Sequence, residues 1–286
     1  MVKRIIPGAM GAGIYQINLL VDMIIATLLP TGSIAFLFYA DRITQLPLGV
    51  VGVAVGTALL PLLSRQLRSG DEKGAEESLN RAIEFSLMLT LPAAGAYIVM
   101  ADILTTSLFQ RAAFTAQDAQ QTAAALFVYA FGLPAYVLNK ALTPGFFARG
   151  DTKTPMIIAV VCMLVNITLN LILMGPFAHI GLAMATSISA WTNTVLLALY
   201  LAKRKQFNLS KKTIIKISKI IACTIIMMSI LFVAQLYLAL LSFNIEFQRI
   251  VQLVCLIILG LTTYFGAIFL FRVENPHALK KILIRK

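Results

Sequence analysis

Charged side chains inside long apolar stretches are the residues of this sequence best suited to chemistry. Arg42 follows Asp41 within the stretch 33–62, and Lys140 lies within the stretch 121–148. A guanidinium at mid-depth in a broken apolar helix suits a water-filled cavity, where it offers a planar fork of donors to an anion. Neighbouring helical residues point about 100° apart, so Asp41 and Arg42 do not simply neutralise each other. We therefore predict that Arg42, together with Asp41, lines a hydrated cavity that binds an anionic group.

Other interpretations remain open for both cations. Arg42 would staple two helices together if it paired with an acidic side chain on another helix. The amine of Lys140 either lines the same cavity or reaches along its aliphatic stem to the membrane surface near Arg149. Which helices lie next to the two cations decides between these alternatives.

A second group consists of oxygen-bearing side chains that lie at a similar depth. Asp22 belongs to an apolar stretch near the start of the sequence, whereas Asn166 and Asn170 are one helical turn apart on one face of a later stretch. Thr186 lies in the stretch that follows. Such oxygens suit a weakly held monovalent cation. Hydrogen bonding between membrane helices is the alternative use of the same side chains.

The elements that carry these residues have the composition of membrane helices. Of the 286 residues, 59% are hydrophobic and 13% are charged, and the mean hydropathy is +0.86, which excludes an ordinary soluble enzyme, a disordered tail and a disulfide scaffold. A bilayer core of about 30 Å is crossed by about 20 helical residues. The pattern predicts an all-α, polytopic membrane helix bundle with eight transmembrane helices, at residues 5–29, 33–62, 79–103, 121–148, 156–175, 180–202, 217–241 and 248–271.

Two of these stretches are too long for a straight crossing of the membrane. The stretch 33–62 contains Pro47, and the stretch 121–148 contains Pro134 and Pro144. Proline removes a helical hydrogen bond and kinks the chain. We therefore expect both helices to bend or tilt.

The distribution of basic residues predicts the orientation of the helices. Most of the 24 Lys and Arg residues lie in the loops and tails of one side, including the linker 203–219, whereas the loops of the opposite side hold Arg111 and Arg249. By the positive-inside rule, both termini are cytoplasmic. The net charge of +12 then reflects topology and attraction to anionic lipid rather than binding to nucleic acid.

The loops themselves predict no enzymatic site. The two histidines, His179 and His277, form no Ser/His/Asp grouping, and most outer loops are short. In the longer outer loop, Thr115 and Asp118 have the spacing of a capping box, which predicts that a helix begins there.

Three blocks of sequence carry a more specific signal. They read YADRITQLPLGVVGVA at 39–54, LFQ at 108–110 followed by Phe114 and Thr115, and PGFFARGDTKTP at 144–155. In this order, within residues 1–202, the blocks resemble the lipid II flippase family (MurJ/MviN) of bacterial cell-wall synthesis.

The resemblance implies a fold and a location. Flippases of this kind are multidrug/oligosaccharide-lipid/polysaccharide exporters with two six-helix lobes and two further C-terminal helices. Residues 1–202 correspond to the second six-helix lobe, 203–219 to a basic cytoplasmic linker, and 220–286 to the two additional helices with a basic cytoplasmic tail. The implied location is the bacterial cytoplasmic (inner) membrane, with many passes. The first lobe has no counterpart in this sequence, so we expect a separately supplied first lobe or a second copy as a partner.

The resemblance also implies an activity and a set of site residues. The activity is transport of lipid II, the undecaprenyl-diphosphate-linked muropeptide, from the inner to the outer leaflet by alternating access. Arg42 corresponds to an arginine of the cationic cavity that receives the diphosphate, and Lys140 is a candidate to assist it. Na⁺ is the candidate coupling ion, and some members carry Asp where Asn170 stands. The residues that resemble the monovalent-cation site are Asp22, Asn166, Asn170, Thr186 and the backbone carbonyl near Leu182.

Two rival functions stay open beside this one. The chain could export another polyprenyl-diphosphate-linked sugar, in which case its cavity would accept other headgroups. It could also be a truncated membrane protein that inserts and binds partners without transport. Dependence of transport on Arg42 separates this second rival from a working flippase.

Overall fold

Helices account for all the regular structure of the described residues. The computed structural model describes residues 2–240 and 246–273. A short π-helical segment, Leu48–Gly52, joins the second helix to the third. The all-α prediction is therefore confirmed for these ranges. The helices are α1 Val2–Thr27, α2 Ser33–Pro47, α3 Val53–Arg68, α4 Glu72–Phe109, α5 Ala116–Phe147, α6 Lys153–Lys203, α7 Lys211–Leu240 and α8 Glu246–Leu270.

The described helices do not by themselves establish the predicted eight membrane crossings. Within the described ranges, six helices are long and apolar enough to span a bilayer, with Ser33–Arg68 and Lys153–Lys203 each counted as one. In α1, the apolar stretch Gln16–Thr27 is the part whose side chains are described without a gap. A multi-pass helix bundle is thus confirmed, whereas the count of eight remains a prediction.

Helix α6 folds back on itself. A straight helix of its 51 residues would be about 76 Å long, far more than a bilayer core. The backbone of Ala178 breaks the helix, with φ 47° and ψ −129°. Beyond this break, the Ser189 hydroxyl donates to the Cys162 carbonyl at 2.7 Å, 27 positions away in sequence. The two arms, 153–177 and 179–203, are therefore antiparallel neighbours, which matches the predicted spans 156–175 and 180–202.

The proline-containing stretches differ in their local structure. The π-helical segment interrupts the first of them directly after Pro47. In contrast, α5 continues as one helix through Pro134 and Pro144. Helix α5 is also the centre of the bundle, because it packs between α4 and α6 with most of its small and apolar residues buried. The predicted capping box begins it: the Thr115 amide donates to Asp118 Oδ2 at 2.8 Å, and the Asp118 amide donates to Thr115 Oγ1 at 3.2 Å.

Helices α7 and α8 pack onto α4 through a shared apolar cluster that includes Met100, Met227 and Tyr264. Polar contacts fix the start of α7. Glu84 of α4 accepts from the Thr213 hydroxyl at 2.7 Å and from the Lys216 amine at 2.9 Å. Helix α7 begins at Lys211, so the second half of the predicted linker 203–219 is helical. Residues 274–286, which include most of the predicted basic tail, lie outside the described residues.

A second set of ion pairs holds the loop between α5 and α6. Arg149 pairs with Glu72 at 2.9 Å, and Arg204 pairs with Asp151 at 2.5 Å. Partial burial alone would raise the pKa of Asp151. The hydrogen bonds from Thr154 and the Arg204 guanidinium outweigh this effect and lower the pKa below its usual value.

Candidate functional site

The oxygen-bearing side chains meet between α1 and α6. The Nδ2 atom of Asn170 donates to Asp22 Oδ1 at 2.6 Å and to Asn166 Oδ1 at 3.0 Å. Asn166 Nδ2 reaches Thr186 Oγ1 at 3.4 Å, and the Thr186 hydroxyl donates to the Leu182 carbonyl at 2.8 Å. One chain of hydrogen bonds therefore connects all five sequence-predicted residues, which we call the oxygen cluster.

The folding of α6 explains why these residues meet. Asn166 and Asn170 lie on the first arm, whereas Leu182 and Thr186 lie on the second arm, and the break at Ala178 turns the two faces toward each other. Helix α1 packs against α6 and supplies Asp22.

One residue of this site was missed by the sequence reasoning. The Nδ2 atom of Asn18 donates to Asp22 Oδ2 at 3.3 Å. Its position four residues before Asp22, on the same face of α1, is the sequence signal that could have identified it.

Free oxygens make the cluster suitable for a cation. Asn166 and Asn170 are fully buried, and both donors of the Asn170 amide are used. The Oδ1 atoms of Asn170 and Asn18 are buried without a hydrogen-bond partner among the described residues. No cationic side chain in this part of the chain forms an ion pair with Asp22. A buried oxygen without a partner is costly, and a bound monovalent cation would satisfy it. The residues present therefore fit the predicted ion, while they also connect the helices directly.

Arg42 lies on an open face of the bundle. Its guanidinium carbon is 4.6 Å from the centre of the Phe38 ring. Within the described ranges it forms no ion pair, so the interpretation of Arg42 as a staple between helices finds no support. Asp41 is half-buried and accepts a hydrogen bond from Gln45 Nε2 at 2.5 Å instead.

The open face extends along α2 and α3. Its exposed residues recur at helical spacing, and we call them the α2–α3 face: Arg42, Leu46, Gly49, Val50, Val53 and Thr57. Apolar residues dominate this face, and Arg42 supplies its positive charge.

Lys140 does not lie beside Arg42. Its Cγ lies 3.4 Å from where a Cβ on Gly52 would be, so its stem packs against the end of the π-helical segment. Gly52 is buried, whereas Lys140 itself is exposed. More than two helical turns separate Gly52 from Arg42 in sequence. Arg42 is therefore part of the broken helix, whereas Lys140 of α5 contacts that helix at a different place, beside Gly52.

Comparison with known proteins identifies the family. A family model described as "Lipid II flippase MurJ" matches residues 1–252. This chain belongs to the lipid II flippase MurJ family. The probable lipid II flippase MurJ of Rickettsia prowazekii is 37% identical over 270 residues, which cover 94% of this chain and 53% of the relative. The probable lipid II flippase MurJ of Rhizobium meliloti is 43% identical over 242 residues, which cover 83% of this chain and 45% of the relative.

Solved structures agree with this membership. A structure titled "Lipid II flippase MurJ, inward closed conformation" superposes with a TM-score of 0.76 at 30% identity, covering 92% of this MurJ-family chain and 52% of that one. A MATE transporter in the straight conformation shares the fold, with a TM-score of 0.61 and 22% identity over 94% of this chain. The chain spans about half the length of the curated relatives it matches. It is thus an integral membrane protein from a family of transporters rather than enzymes.

Proposed function

We propose that this chain is the C-terminal part of a flippase that moves lipid II from the inner to the outer leaflet of the bacterial cytoplasmic membrane. The observation that carries the proposal is the position of Arg42, a guanidinium without an ionic partner among the described residues, on the open face of a broken membrane helix. The match to the flippase family model over residues 1–252 names the substrate class.

The diphosphate of lipid II is the group that Arg42 is suited to bind. The Asp41 carboxylate accepts a hydrogen bond from Gln45 and does not form an ion pair with the Arg42 guanidinium. In a hydrated cavity within the membrane, the lower local dielectric strengthens a charge-assisted contact between guanidinium and phosphate. Lys140 of α5 packs against the broken helix at Gly52, farther along it than Arg42, and would contact a different part of the substrate.

Alternating access needs a second body that moves against this one. The α2–α3 face exposes Leu46, Val50 and Val53 around Arg42, and such an apolar surface suits a protein partner. We propose that a six-helix first lobe, or a second copy of the chain, lies opposite this face and closes the cavity.

Na⁺ bound at the oxygen cluster is the proposed coupling ion. Its ligands would be Asp22, the free carbonyl oxygen of Asn170, and oxygens of Asn166, Thr186 and Leu182. Because the cluster joins α1 to both arms of α6, ion binding would stabilise one arrangement of these helices. Movement of one Na⁺ charge through a membrane potential of 100 mV would supply about 2.3 kcal/mol to the transport cycle.

The proposed orientation places both termini in the cytoplasm. The loops between α3 and α4 and between α5 and α6, and the linker after α6, carry many basic residues and would lie on the cytoplasmic side. Arg111 and Arg249 would lie on the opposite side.

A depletion experiment tests the proposal. A bacterium is depleted of its own flippase and expresses this chain alone or with a six-helix first lobe, and lipid II accessible at the outer surface is measured. Restored access in either case supports the proposal. Correct insertion without restored access in both cases would contradict it. Competition by another polyprenyl-diphosphate-linked sugar would favour the rival exporter.

A further inference from the structure

The helix break next to Arg42 has an unusual hydrogen-bond donor. Pro47 has no N–H, so the Ile43 carbonyl, four residues earlier, lacks its usual helical partner. The Leu48 amide bonds to the Gln45 carbonyl rather than to Ile43. The Tyr97 hydroxyl of α4 donates to the Ile43 carbonyl at 3.0 Å. A side chain of a neighbouring helix therefore replaces the amide that Pro47 lacks.

The same arrangement occurs at a second proline. Pro92 of α4 leaves the Met88 carbonyl without its helical donor, and the Tyr264 hydroxyl of α8 donates to it at 2.6 Å. In lipid there is no bulk water to satisfy such a carbonyl. Tyrosines of adjacent helices therefore satisfy the carbonyls freed by two of the helical prolines, Pro47 and Pro92.

The Tyr97–Ile43 contact differs from the Tyr264–Met88 contact because it lies next to Arg42. Ile43 directly follows Arg42, and the π-helical segment Leu48–Gly52 begins directly after Pro47. The geometry of this interruption relates the direction of α2 to that of α3 and thereby affects the position of the Arg42 guanidinium. Because the α2–α3 face is exposed, the contacts of α2 with the rest of the bundle, including that with Tyr97, lie on its opposite side.

We propose that Tyr97 is a positioning residue for Arg42. Its hydroxyl replaces the missing amide of Pro47 and holds α2 at the angle that presents Arg42 to an anionic group. The role in anion binding rests on the proposed function, whereas the role in helix geometry does not. The experiments below separate the two.

The first experiment measures the geometry of the interrupted helix directly. Spin labels are placed at Ile34→Cys in α2 and Ala58→Cys in α3, both exposed positions, after replacement of the native cysteines by Ala. A straight helix would separate these backbone positions by about 36 Å, which is within the range of pulsed electron paramagnetic resonance. We expect Tyr97→Phe to shift or broaden the distance distribution. The matched control Tyr264→Phe, which loses the same kind of bond in α4, should leave it unchanged.

A proline variant tests the cause of the effect. Pro47→Ala restores an N–H that can bond to the Ile43 carbonyl, so the Tyr97 hydroxyl becomes redundant. In the Pro47→Ala background, Tyr97→Phe should therefore cause no further change in the distance distribution. An equal effect of Tyr97→Phe in both backgrounds, or no effect in either, would overturn the proposal.

The second experiment measures anion binding with farnesyl diphosphate as the probe in detergent. Loss of the Tyr97 hydroxyl should weaken binding about three-fold to ten-fold, the effect of one net hydrogen bond. In the Arg42→Ala background, Tyr97→Phe should cause no further loss, because Tyr97 acts through Arg42. Additive losses would contradict positioning through Arg42. Failure of the unsubstituted chain to bind the probe would count against the proposed function, while the distance measurement would still decide the role of Tyr97 in helix geometry.

Discussion

The Asn170 side chain of α6 donates a 2.6 Å hydrogen bond to the Asp22 carboxylate of α1, 148 positions away in sequence. This bond orders the carboxylate while the carbonyl oxygen of Asn170 remains buried and without a partner among the described residues. An ordered carboxylate beside an unused oxygen supports the proposal that the cluster binds a cation.

Asp22→Asn should remove most of the Na⁺ response of the protein. Loss of the one formal negative charge in the cluster is expected to weaken Na⁺ binding by at least about ten-fold. A ligand that binds only the folded protein raises its melting temperature. We therefore expect NaCl to raise the melting temperature of the unsubstituted chain relative to KCl at equal ionic strength, but not that of Asp22→Asn.

Asp41→Asn is the matched control for this measurement, because it removes a membrane carboxylate outside the cluster and should keep the Na⁺ response. Asn170→Asp should strengthen the response, since two adjacent carboxylates repel each other without a cation. The same Na⁺ dependence in Asp22→Asn as in the unsubstituted chain would exclude the oxygen cluster as a Na⁺ site.

Arg42→Ala should abolish lipid II flipping while the protein still inserts into the membrane. The substitution removes the donors proposed for the diphosphate and deletes no ion pair with any described residue. Arg42→Lys should restore little activity, because an ammonium does not reproduce the bidentate geometry of a guanidinium. The assay is lipid II accessibility at the outer surface, in the combination of lobes that is active.

Arg111→Ala, in an exposed position outside the α2–α3 face, serves as the control and should retain flipping. Full activity of Arg42→Ala would disprove the proposed role of Arg42.

Asp151→Asn should destabilise the protein at neutral pH and little in acid. The pKa of Asp151 is below its usual value of 3.8, so its carboxylate stabilises the fold above that pH and loses this effect as the pH falls through the lowered pKa. Because Arg204 is 40% exposed, we expect a modest loss of about 1 kcal/mol near pH 7. Melting temperatures measured between pH 7 and about pH 3 should converge for the two proteins as the carboxylate protonates.

Glu77→Gln provides the comparison for this series. Glu77 and Arg81 are 4.0 Å apart and largely exposed, so loss of this pair should barely change the melting temperature. A difference between Asp151→Asn and the unsubstituted chain that stayed constant down to pH 3 would show that the carboxylate charge is not responsible.

Gly181→Ala should disrupt the turn between the arms of α6. A Cβ at this position would lie 2.4 Å from the Leu173 carbonyl oxygen, and a backbone atom cannot move aside easily. We expect a loss of about 1–3 kcal/mol or more in the free energy of unfolding. Gly175→Ala, in the same turn region, has no atom within 4 Å of its new Cβ and should be neutral or stabilising.

Denaturant unfolding of the purified protein compares the two glycine variants. Because the arms of α6 carry most of the oxygen cluster, Gly181→Ala should also weaken the Na⁺ response. Equal stability of both variants would mean that the turn accommodates a side chain at residue 181.

Several features of the site could be predicted from local sequence. The spacing of Asn166 and Asn170 placed both on one helix face, and Pro47 marked the break that the π-helical segment now occupies. Asn18 was missed although its spacing to Asp22 is equally regular. A single polar residue on an exposed helix carries little weight until its partner is known.

The sequence by itself determined the helical class, the apolar stretches and the interruption after Pro47, because hydropathy, helical periodicity and the missing amide of proline are local properties of the chain. Only the tertiary structure decided which distant groups meet. The Tyr97 hydroxyl donates to the Ile43 carbonyl, and the Asn170 amide donates to the Asp22 carboxylate. The Lys140 side chain packs beside Gly52 rather than beside Arg42. These pairings depend on the packing of helices far apart in sequence, which no local pattern specifies.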